Sequence, residues 1–351
     1  MNEHLAELMR RATRLTQGGK LAAATQALQQ VLTRQKAAAA TAAPAPLVWR
    51  DGAFEPAAPT AQPVPPQAEG ADRFDSGRHE HGGLGRDYKL FVPAAAGTRA
   101  LPLLVMLHGC TQDPDDFAAG TGMNALARSG AFFVLYPAQA AEANPQRCWN
   151  WFKHSHQRRG SGEPGLIADL TRQVVRQHGI DASRVYIAGL SAGGAMAATV
   201  AALHPELYAA LGVHSGLPCG AAQDLNGALA AMRGGGSAGH AAALPTIVFH
   251  GDRDATVHPR NGDALIEAAL RAAGAPGAAV DVHEGVAAGS GRYTRARYGA
   301  PGRPALAEHW RLHGAGHAWS GGLRAGSYTD PAGPDASAEM LRFFLQAAPR
   351  R

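Results

Sequence analysis

From residue 87 onward the chain alternates short apolar runs with stretches that carry apolar side chains at helical spacing. Residues 88–92 end at Pro93, 103–107 and 132–136 are almost wholly apolar, and 185–188, 211–214, 246–250 and 308–312 continue the series. Residues 116–129, 166–178 and 336–346 instead place apolar positions three and four apart. Apolar runs without alternation predict strands buried on both faces, and the intervening helices predict a largely parallel sheet covered on both sides. The first strand, close to its successor, is expected to be antiparallel at one edge.

Upstream the texture differs. Leu5, Leu8, Met9, Ala12 and Leu15 sit at helical spacing, Gly18 and Gly19 interrupt them, and Ala24, Leu28, Val31 and Leu32 resume the pattern. This predicts a helical hairpin over residues 1–35 that resembles a single tetratricopeptide-type unit. One copy cannot bury a solenoid core and no second copy follows, so the hairpin is expected to dock a partner or self-associate. Residues 36–85 are read as an Ala/Pro-rich linker and lead-in with little to bury, and residues 86–351 as the α/β domain.

Composition narrows the function. With 351 residues and 46% hydrophobic content, the chain can build one sizeable core and an appendage. Its net charge of +5 is dispersed without a long run of like charges, which argues against nucleic acid as a partner. The cysteines, Cys110, Cys148 and Cys219, are too few for a disulfide scaffold and lack metal-ligand spacing, and at most one bridge can form. No segment is long and apolar enough to predict a membrane span. Charged and polar residues from Glu3 to Arg14 break any export-signal core, which points to the cytoplasm.

The chemistry centres on residues 184–202. A β-branched run meets Gly189-Leu190-Ser191-Ala192-Gly193-Gly194 and continues as an Ala-rich helical pattern, the strand, tight turn and helix of a nucleophile elbow. Ser191 is the expected nucleophile. A serine hydroxyl needs a histidine to take its proton and a carboxylate to fix that imidazole, and in α/β-hydrolases these follow in the order acid, then histidine. Asp254, four residues after His250 in a strand-to-helix loop, is the expected acid, with Asp252 its rival. His317, set among glycines after the strand at 308–312, is the expected base, with His313 the alternative. The turn His108-Gly109-Cys110 follows an early buried strand, and the backbone N–H groups of Cys110 and Ala192 are assigned to an oxyanion hole.

These segments, together with Asn144-Pro145-Gln146-Arg147-Cys148-Trp149-Asn150-Trp151-Phe152 and Gly314-Ala315-Gly316-His317-Ala318-Trp319-Ser320-Gly321-Gly322, resemble the polyhydroxybutyrate depolymerase family of esterases from about residue 86 to 345. The resemblance implies an α/β-hydrolase fold without cofactor, and serine-esterase activity on short-chain polyhydroxyalkanoates. Feruloyl and acetylxylan esterases share these motifs and give the alternative of a soluble ester. An alternative of another class is a non-catalytic binding protein on a hydrolase fold, which the intact Ser, Asp and His motifs disfavour. Family enzymes that attack extracellular granules carry an export signal, and many add a C-terminal binding domain; both are expected to be missing here, leaving localisation open. Trp149, Trp151 and Trp319 lie in loops near the site and are candidates for an aromatic substrate-binding wall. Cys110 and Cys148 flank the same region and are candidates for a disulfide joining the oxyanion loop to the tryptophan loop.

Overall fold

A computed structural model describes residues 47–50, 53–56, 71–237 and 239–350. The helical hairpin expected over residues 1–35 lies outside the described residues. The stretch read as an extended linker contains a small antiparallel hairpin, β1 (Leu47–Arg50) and β2 (Ala53–Pro56).

The α/β unit is built on a ten-stranded sheet. In chain order its elements are β3 (Arg73–His81), β4 (Leu84–Val92), β5 (Leu103–Leu107), α1 (Pro114–Thr121), α2 (Met123–Gly130), β6 (Phe133–Pro137), α3 (Gly162–His178), β7 (Val185–Leu190) and α4 (Ala192–Leu203). Then follow β8 (Ala210–His214), α5 (Leu225–Gly234), β9 (Thr246–Gly251), α6 (Arg260–Ala272), β10 (Val280–Val286), β11 (Arg292–Tyr298), β12 (Ala307–His313) and α7 (Ala336–Gln346). The strand order is β10-β11-β12-β9-β8-β7-β5-β6-β4-β3. Six strands, β12 to β6 in that order, are parallel, and an antiparallel pair closes each end.

Strands β5 to β9 are buried along their whole length because helices cover both faces. Pleating sends Leu103, Val105 and Leu107 into one core beneath α3, α4 and α6, and Leu104 and Met106 into the other beneath α1, α2 and α7. No charged group has to be placed between sheet and helices at these positions, which is why the runs read so plainly.

The edges differ from expectation. The strand expected at 88–92 is antiparallel, yet it is not the edge: β3, inside the stretch assigned to the lead-in, pairs with β4 from Arg73↔Val92 to His81↔Leu84. The helix expected over 116–129 is two helices. Gly122, at φ 63°, ends α1 with a left-handed cap and turns the chain into α2. Among the described residues no helix is long and apolar enough to cross a membrane, and no cluster of three or more His, Cys, Asp or Glu is arranged to hold a metal ion.

Candidate active site

Between β5 and β7 the chain direction across the sheet reverses: β5 is followed by β6 on one side, and β7 by β8 on the other. Such a switch point opens a crevice at the carboxyl ends of the two strands. His108-Gly109-Cys110 leaves β5 there, and Ser191 leaves β7.

Ser191 has φ 57° and ψ −121°, a conformation that L-residues rarely adopt, and it caps α4. The neighbouring glycines explain how the turn is reached. A Cβ on Gly193 would lie 2.1 Å from the carbonyl oxygen of Leu107, and one on Gly189 would lie 2.5 Å from the backbone of Gly193. Only hydrogen at these positions lets α4 approach the end of β5 so closely. Ser191 itself is 8% exposed.

Asp254 and His317 meet across the ends of β9 and β12. His317 Nδ1 lies 2.7 Å from Asp254 Oδ2, and Asp254 Oδ1 accepts the backbone N–H groups of Thr256 at 2.9 Å and Val257 at 2.8 Å. Burial acts to raise the Asp254 pKa, but hydrogen bonds from His250 and His317, the charge of His317 and the Val257 N–H outweigh it and hold the carboxyl well below the usual carboxylate range. A carboxylate at Nδ1 places the proton there, which leaves Nε2 with its lone pair and able to accept a proton. Ser191 and His317 line the same cleft, without a hydrogen bond between them in the described geometry. Such bonds are often long in a free site and tighten with substrate.

The rivals have another arrangement. His313 Nδ1 lies 3.1 Å from Asp252 Oδ2, His313 Nε2 lies 2.7 Å from Thr294 Oγ1, and Asp252 Oδ1 accepts the N–H of Gly314 at 2.7 Å. Together with the bond from Arg253 N–H to Ala315 O, this half-exposed pair ties the acid loop to the loop that carries His317.

The cleft has a volume of about 490 Å³. Gly109, Cys110, Leu190 and Ala192 line it together with Trp149, Trp151 and Phe152 of the tryptophan loop, and Leu225, Ala228, Leu229 and Met232 of α5 contribute an apolar helical face. Among the described residues, the N–H groups of Cys110 and Ala192 donate to no protein acceptor, so both are free for a ligand. Cys110 and Cys148 are joined in a disulfide, which fastens the turn after β5 to the tryptophan loop; Cys219 is a buried free thiol.

Trp149 and Trp151 line the cleft, but Trp319 does not. Its ring is 1% exposed, stacked 5.1 Å from His214 and edge-on to Phe117, with Nε1 donating to Ser337 Oγ. It is a core spacer, because β13 (Trp319–Ser320) turns the indole inward beneath the histidine loop.

Three buried histidines near the site received no side-chain role from the sequence. His250 Nε2 lies 2.8 Å from Val257 O and 3.4 Å from Asp254 Oδ2, so it buttresses the acid loop. The i, i+4 spacing of His250 and Asp254 is the signal that could have found it. His214 packs between Phe249 and Trp319, and burial lowers its pKa to about 3. His108 is likewise lowered to about 4 by burial, and its Nε2 accepts the N–H of Gln139.

A family model described as Esterase PHB depolymerase matches residues 86–292, more than half of the chain. The chain belongs to this family. Poly(3-hydroxyalkanoate) depolymerase C of Paucimonas lemoignei is 35% identical over 191 residues, 50% of this chain and 46% of that protein. The probable acetylxylan esterase A of Aspergillus fumigatus is 25% identical over 193 residues, 49% and 51% of the two chains. This PHB depolymerase-family chain thus spans about half the length of the curated relatives it matches. An acetyl xylan esterase from Aspergillus awamori shares the fold, with a TM-score of 0.55 at 20% identity over 66% of this chain and 89% of that one.

Proposed function

We propose that this family member is a serine carboxylic-ester hydrolase whose substrate is a short-chain polyhydroxyalkanoate, poly(3-hydroxybutyrate) or its oligomers. The observation that carries the reading is the Asp254–His317 bond at 2.7 Å in the cleft that Ser191 also lines. Ser191 Oγ attacks the ester carbonyl carbon while His317 Nε2 takes the hydroxyl proton, and Asp254 stabilises the imidazolium. The N–H groups of Cys110 and Ala192 hold the oxyanion. Collapse of the tetrahedral intermediate breaks the bond to the alcohol, which leaves with the proton from His317. Water, deprotonated by the same imidazole, then releases the acid from Ser191.

The walls favour an alkyl ester. Trp151, Leu225, Leu229 and Met232 offer apolar contact, and the titratable side chains among the lining residues are His317 and Tyr328. The name of the Paucimonas lemoignei relative supports a polyester, and the name of the Aspergillus fumigatus relative supports acetylated carbohydrate as the competing substrate. Clearing of an amorphous poly(3-hydroxybutyrate) suspension by wild type and by Ser191→Ala tests the proposal. Serine-dependent clearing is expected. Hydrolysis of soluble acetyl or feruloyl esters without clearing would move the substrate to that class, and no ester hydrolysis at all would leave a binding protein on a hydrolase fold.

A further inference from the structure

Behind the tryptophan wall lies a buried ion-pair network that the acyl-transfer steps do not use. Glu163, the second residue of α3, is 1% exposed. Its Oε1 accepts from Arg86 Nη2 at 3.0 Å, Gln139 Nε2 at 2.7 Å and Asn150 Nδ2 at 2.9 Å, and its Oε2 accepts the Asn150 backbone N–H at 2.8 Å. Arg86, 5% exposed, also donates from Nε to Gln139 Oε1 at 2.9 Å and from Nη1 to Gly85 O at 2.8 Å. Gln139 is the hub: its Nε2 reaches Cys148 O at 2.9 Å, and its backbone N–H reaches His108 Nε2 at 3.1 Å.

One carboxylate therefore gathers the turn after β5 and the tryptophan loop. Through Gln139 it holds His108, two residues before Cys110, and the carbonyl of Cys148 at the disulfide. Through Asn150 it holds the residue between Trp149 and Trp151. The network joins β4, the loop after β6, the tryptophan loop and the start of α3, so none of these can shift without stranding a buried charge or amide.

We propose that Glu163, acting through Gln139, is a positioning residue that sets the Cys110 amide and the Trp149–Trp151 wall against Ser191. This rests on the oxyanion role given above to Cys110. Oxyanion donors work only when preorganised within a few tenths of an ångström, and a misplacement of about 1 Å costs on the order of 100-fold in rate.

Two variants test it with a soluble short-chain p-nitrophenyl ester. Glu163→Gln brings an NH₂ group against a ring of donors. Gln139→Leu cuts the side-chain links to Glu163, Cys148 and Arg86 and leaves the Glu163–Asn150 bonds and the backbone bond to His108 in place, so it stands in if Glu163→Gln does not fold. In each, kcat per titrated active site is expected to fall about 10- to 100-fold, with KM changed less than about threefold. The rate of organophosphate labelling of Ser191 is expected to fall in proportion. The double variant should be no slower than the worse single one, because both act on one turn. Unchanged kcat per active site, with only fewer titratable sites or a lower Tm, would reduce the network to a structural role and overturn the proposal. A wild type without Ser191-dependent turnover would instead overturn the functional reading itself, and the two failures are separable because only the second is visible without a network variant.

Discussion

Ser191 is held at a positive φ by the close approach of Gly193 to the end of β5. A non-glycine residue in such a conformation costs on the order of 1–3 kcal/mol, whereas glycine pays mainly chain entropy. Ser191→Gly is therefore expected to abolish turnover and to raise stability by about 1 kcal/mol, read as a higher denaturant midpoint at unchanged slope. A midpoint equal to or below wild type would argue that the elbow is unstrained. Asp254 makes a complementary prediction. Its folded pKa is depressed, so its contribution is complete above the unfolded carboxyl pKa near 4 and is lost as pH falls further. Asp254→Asn should lower stability at pH 7 and flatten its decline below about pH 4, while costing about 10⁴-fold in kcat because the imidazole tautomer is no longer fixed. The contact between Asp254 and His317 was legible because order along the chain and position after a strand both point to them. Glu163 was not: Arg86, its partner, lies 77 positions away, and nothing local marks a buried carboxylate.

At the scale of elements, the near-continuous apolar runs announced β5 to β9 because both faces of those strands are buried, with polar side chains confined to strand ends such as His214, Thr246 and His250. Strands β3, β10 and β11 carry sequences such as RFDSGRHEH and RYTRARY, which mimic loops because strands at the edge of the sheet or next to it are little buried here. The break between α1 and α2 was hidden because Gly122 falls inside an unbroken helical period. Aromatic residues near a site also misled in one case: Trp319 has the right neighbours in sequence, yet it faces the core. The loop carrying Trp149 is fastened by the Cys110–Cys148 disulfide, which closes a separation of 38 residues. Loop-closure entropy alone makes such a bridge worth about 4 kcal/mol. Cys148→Ala should lower stability by up to that amount and slow turnover. Titration of the denatured, unreduced protein should find one thiol, Cys219; three thiols would remove the bridge from the account.

For the whole molecule, buried neutral histidines govern behaviour in acid. Burial lowers His108 to about 4 and both His214 and His309 to about 3, from an ordinary value of 6.5. A base whose folded pKa lies below its unfolded one takes up its proton on unfolding. Stability is therefore full above about pH 6.5 and declines as pH falls toward the folded values, by about 1.4 kcal/mol per pH unit for each such histidine. Denaturant midpoints at pH 7, 6, 5 and 4 should drop steadily through this window, and a flat profile between pH 7 and 5 would contradict it. Sheet, cleft and acid loop form one α/β unit, in which the proposed function makes Ser191 the nucleophile. The most direct measurement is reaction of the folded protein with a fluorophosphonate, followed by intact mass and peptide mapping. The expected result is a single adduct on the peptide containing Ser191, with ester turnover lost in step and no labelling of Ser191→Ala. An adduct on another residue, or full turnover in the labelled protein, would contradict it.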